Sequence, residues 1–103
     1  MTIFEAMQLT GRPLLSVVAT DILGYKPDSF EIWNWFGMGP SQQSQVIRDE
    51  IVRRGRSGSF VYELRKLVLG DDLLEDMDWL DMFQLVNAPV QLQAKAALLT
   101  CLE

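Results

Sequence analysis

SFEIWNWFG, residues Ser29 to Gly37, decides the fold, because it reads as a strand by one criterion and as a helix by another. Phe30, Ile32, Asn34 and Phe36 alternate at period two, the spacing of a half-buried strand. The flanks argue the other way. Asp28 with Glu31 matches a capping box, in which an N-cap oxygen accepts from an orphan amide and the acid three residues on reciprocates. Gly37 stands where a helix stops, and no run of similar character lies nearby to complete a hairpin. The stretch is therefore read as a short aromatic helix, and with it the chain reads as all-α.

Working outward, the same signals recur. Thr2 with Glu5 and Asp72 with Glu75 repeat the capping box. A first helix is expected from about Ile3 to Leu9, ending at Gly11, and Pro13 then sits in the first turn of a second. That second helix carries the stripe Leu15, Val18, Ala19 and Ile22 and closes at Gly24. GMGP, residues 37–40, is a turn. A helix from about Ser41 to Arg54 follows, and its thin apolar content (Val46, Ile47, Ile51, Val52) places it on the surface. RGRSGS, residues 54–59, has loop composition, and Phe60, Val61, Leu64, Leu67 and Val68 then form one helical face opposite Arg65 and Lys66, ending at Gly70. An acidic helix begins near Asp72, and Asn87 with Pro89 marks the start of a last one. The expectation is one domain over residues 1–103, a compact all-α bundle of five to seven short helices.

Composition bounds the function. Hydrophobic residues make up 49% and charged residues 22% of 103, which suits one globular core and no more. No apolar run approaches the roughly 18 residues that span a bilayer, and the N-terminal residues lack a basic stretch followed by an apolar one. With the lone Cys101 unable to form an internal disulfide, a cytoplasmic setting is expected. The sequence holds no histidine, which removes His-based triads, His metal sites and histidine pH switches. Phosphate-binding glycine loops, a nucleophile turn and EF-hand spacing are absent too, so no enzyme, cofactor or metal is expected. PDSFE, residues 27–31, resembles over three residues the serine motif at which acyl carrier proteins receive phosphopantetheine. Helix capping by Asp28 explains the same residues, and no family is assigned.

Charge is unevenly distributed within the net −5. Residues 1–40 carry −2, residues 41–70 carry +3 and residues 71–103 carry −6. The acid is concentrated in DDLLEDMDWLDMF, residues 71–83, with six carboxylates among large apolar side chains. On a helical wheel Leu73, Leu74, Met77 and Leu80 face a core, and Asp72, Glu75, Asp76 and Asp78 occupy the opposite arc. Trp79, Met82 and Phe83 project over that same outer arc one turn further on. Acids near a helix start also favour its dipole, and another helix of the protein can cover the rings. The functional reading makes Asp72, Glu75, Asp76, Asp78, Trp79, Met82 and Phe83 a contact face, the tryptophan anchoring and the carboxylates steering a partner with a basic or mixed surface.

The basic middle supports the alternative, a nucleic-acid-binding regulator. Arg48, Arg53, Arg54 and Arg56 lie around two glycines in a helix-loop-helix layout spanning residues 48–66, suited to phosphates or acids. Asp49, Glu50 and Glu63 interrupt the patch, and an isoelectric point near 4.6 opposes a basic footprint. The aromatics of EIWNWF, residues 31–36, are read as core rather than as base-stacking or ligand-pocket residues, with an apolar groove for a partner helix as the outcome if Trp33 and Trp35 both lie outside. The leading expectation is a non-catalytic protein-binding domain, of the physical type of small inhibitors, immunity proteins and adaptors, including those encoded by phages and other mobile elements.

Overall fold

Thr2 starts the first helix as its sequence demands: its hydroxyl accepts from Glu5 N at 3.1 Å, and the Glu5 carboxylate accepts from Thr2 N at 3.2 Å. The computed structural model describes residues 1–70, 84, 85 and 87–102. In chain order these form α1 (Ile3–Gln8), α2 (Gly11–Val17) continuing into a π-helical turn (Val18–Ile22), α3 (Phe30–Gly37), α4 (Pro40–Arg53), α5 (Ser57–Leu69) and α6 (Val90–Leu102). No strand occurs among the described residues, and the fold is an all-α compact bundle. None of the described helices is long and apolar enough to cross a membrane.

α6 is the axis on which the others pack. α1, α2, the π-turn, α4 and α5 all contact it. Its Ala94, Ala96 and Ala97 are fully buried, and small side chains there let several helices approach at once. The apolar residues of α6 lie around its whole circumference rather than along one stripe, as a helix enclosed on all sides requires. α4 and α6 run parallel: Ser44 near the start of α4 and Val90 at the start of α6 line one cleft, while Arg54 and Arg56 reach Cys101 and Thr100 at the other end. α5 returns antiparallel between those ends.

Several expectations are corrected. The start of α3 is capped by Ser29, whose Oγ accepts from Ile32 N at 3.3 Å, and not by Asp28. Asp28 has φ +60°, a left-handed conformation that Asp tolerates and that differs from the extended one typical of an N-cap. α4 does not lie wholly on the surface: Ile47 and Ile51, one turn apart, are fully buried, and the polar Gln43 and Ser44 extend the same inward face. The loop expected over residues 54–59 is shorter. Gly55, at φ +69°, ends α4 with Arg56 N donating to Ile51 O at 3.1 Å and Gly55 N to Val52 O at 2.9 Å, a Schellman motif. Ser57, Gly58 and Ser59 then already belong to α5. Val61 is exposed rather than on the core face, and Leu14, outside the expected stripe, is fully buried while Leu15 is half-buried against the core.

The π-turn has a local cause. Thr20 Oγ1 donates back to Ser16 O at 3.1 Å, a side-chain bond of the kind that bends helices, and Leu23 N then bonds Val18 O, five residues back.

Candidate functional site

The acidic contact face expected from sequence, Asp72, Glu75, Asp76, Asp78, Trp79, Met82 and Phe83, lies outside the described residues, as does the capping box of Asp72 with Glu75. The four arginines of the basic middle are described: Arg53 and Arg54 both pair with Glu50, and Arg48 and Arg56 do not join them there. Arg53 folds back on its own helix, with Nε 2.8 Å from both Glu50 carboxylate oxygens and Nη2 2.6 Å from Oε2. That hydrogen bond is the main reason the Glu50 carboxyl is held below its ordinary value; burial opposes the shift, and the charges of Arg53 and Arg54 add to it. Arg54 Nη2 donates to Ile22 O at 2.7 Å, and Arg56 Nη2 to Thr100 O at 2.9 Å.

Those two contacts follow a pattern. Ile22 O ends the π-turn and Thr100 O lies in the last turn of α6, where carbonyls have no intrahelical donor and the dipole is negative. Lys95 Nζ does the same for Met7 O at the end of α1, at 3.1 Å. Neutral side chains complete the scheme: Gln91 Oε1 accepts from Gly11 N at the start of α2 (2.8 Å), and Gln43 Nε2 donates to Trp35 O near the end of α3 (2.9 Å). Arg54 and Arg56 thus tie helix ends together. Arg48, in the second half of α4, does not join them.

The aromatic run of α3 divides into two faces. Trp35 is wholly buried and its Nε1 donates to Leu15 O at 3.2 Å, so it pins α3 onto α2. Ile32 and Phe36 pack beside it, and the Arg12 guanidinium stacks 4.0 Å from the Phe36 ring centroid. Phe30 and Trp33, one turn apart on the opposite arc, are 82% and 74% exposed. A helical wheel over residues 30–37 separates these arcs, so the sequence carried the signal for an outward pair. A cleft of about 190 Å³ opens beside them, lined by Arg12, Asp28, Ile32, Trp33 and Phe36. Exposed Asp28 and Glu31 give this edge acidic neighbours. The arrangement offers two rings, an apolar notch and hydrogen-bonding charges of both signs.

Comparisons with protein-family models, with curated proteins and with solved structures find no match.

Proposed function

We propose that this protein is a non-catalytic protein-binding domain that engages its partner through the outward edge of α3. The observation that carries the reading is the exposure of Phe30 and Trp33 on a helix already anchored by Trp35, an arrangement that presents rigid rings at little cost in order. The partner is another protein with a basic or mixed surface: Asp28 and Glu31 flank the rings, and the chain as a whole carries −5. A small inhibitor, immunity protein or adaptor of the cytoplasm, phage or mobile-element encoded, has this physical character. The acidic run bearing Trp79 stays in the proposal on its sequence grounds, as a second contact region.

Arg54 and Arg56 already donate to the protein's own carbonyls, which leaves the nucleic-acid alternative with less support. Affinity capture from the native host tests the proposal, using the wild-type chain, Trp33→Ala, Phe30→Ala and Trp79→Ala, with melting followed in parallel. The expected result is one partner retained by the wild type and lost by Trp33→Ala and Phe30→Ala at unchanged melting temperature. Capture that survives the Phe30→Ala, Trp33→Ala double variant overturns the α3 assignment, and self-association abolished by the same variant reassigns the edge to a second copy of the chain.

A further inference from the structure

Because α4 and α6 run parallel, both present their N-termini to a single cleft of about 280 Å³, lined by Pro40, Ser41, Ser44 and Arg48 on one side and by the Asn87–Val90 segment with Gln93 on the other. Parallel helices add their dipoles at such an end, where antiparallel ones would cancel. The first-turn amides of Ser41, Gln42, Val90 and Gln91 have no intrahelical acceptor and belong to this positive end. Side chains add to it. Ser44 is only 6% exposed and lines the cleft, and its hydroxyl makes no hydrogen bond among the described residues, although a buried helical serine can donate to a carbonyl one turn back. Arg48, one turn further along α4, is half-buried; its Nη2 donates to Gln45 Oε1 at 3.2 Å, and no carboxylate pairs with it among the described residues. No acid occurs among the described residues of the lining.

A guanidinium, two hydroxyls and two helix ends therefore face one space, beside the unpartnered buried oxygen Gln93 Oε1 and with no carboxylate among the described lining residues. We propose that this cleft binds a phosphate group, gripped by Arg48, Ser41 and Ser44 and by the amide ends of α4 and α6. Donors arrive from two helices and exceed what the two oxygens of a carboxylate would occupy, and an arginine fork fits phosphate oxygens two at a time. The cleft is larger than a bare anion, so the group binds free or as an ester. This site lies on α4 and α6 and does not depend on the reading of α3.

The test is a titration of the isotope-labelled full chain with inorganic phosphate at constant ionic strength, reading amide chemical shifts. Saturable shifts centred on Ser41, Gln42, Val90 and Gln91 are expected, weakened about tenfold or more in Arg48→Gln. Ser44→Ala weakens binding by a smaller factor at unchanged melting temperature, and carries the test should Arg48→Gln lose stability. O-phosphoserine distinguishes the sources: tighter binding than inorganic phosphate assigns an ester, equal binding the free anion. No saturable shift in the wild type, or the same affinity in Ser44→Ala and Arg48→Gln as in the wild type, overturns the site.

Discussion

α6 buries seven of its thirteen residues and is touched by four other helices, whereas α3, no less apolar in sequence, buries only Trp35 fully and leaves Phe30 and Trp33 in water. The contrast lies in side-chain size and in the neighbours available. Alanines let α6 be surrounded, so its apolar residues are spent inside the protein. The rings of α3 are too bulky for such close approach: Trp35 is seated, Phe36 is half-buried beneath Arg12, and Phe30 and Trp33 lie outside. Apolar content alone therefore does not separate core from exposed surface; the distribution around the axis does.

Trp35→Ala is the hardest blow to this distinction. It empties the anchor of α3 and is expected to cost about 3–5 kcal/mol by urea denaturation. If the cost is instead that of a surface change, α3 is not seated as described. Ala97→Leu asks the matching question of α6, where overpacking at a fully buried site should remove about 1–3 kcal/mol. Trp33→Ala should change stability by no more than about 0.5 kcal/mol while abolishing partner capture, which sharpens the contrast with Trp35 two residues away. The smallest effect concerns neither helix and serves as a control on α4. The Glu50 carboxyl is depressed chiefly by the Arg53 hydrogen bond, so its contribution is present above the ordinary glutamate value and lost as pH falls through the lower folded one. Glu50→Gln should be slightly less stable than wild type at neutral pH, with the gap closing below about pH 4 in acid titrations.

Local signals were legible. The Thr2 and Glu5 box, the helical reading of residues 30–37 and the stop at Gly70 all follow from neighbours within one turn. The caps built by Arg54, Arg56, Lys95 and Gln91 join residues 32 to 88 positions apart, and no local pattern carries them. The arginines of the middle segment looked like a surface patch because their carbonyl partners are invisible in sequence. The burial of α4 was masked by Gln43 and Ser44, polar residues on its inward face. The outward pair on α3 is visible on a helical wheel, whereas the period-two spacing of Phe30, Ile32, Asn34 and Phe36 along the linear sequence obscures it.

The helix that completes the core is the last of the described six in chain order. α1, α2, α4 and α5 each make their principal contacts with residues that are synthesised after them, and the link between Lys95 and Met7 spans 88 positions. Among the described elements, the surface shared by the earlier helices is that of residues 90–102, and each of those helices is too short to hold its shape alone. Folding is therefore expected to be a late, collective event that raises its barrier through loop closure, and interrupted chains should be recognised and cleared as unfolded rather than persist as partial domains.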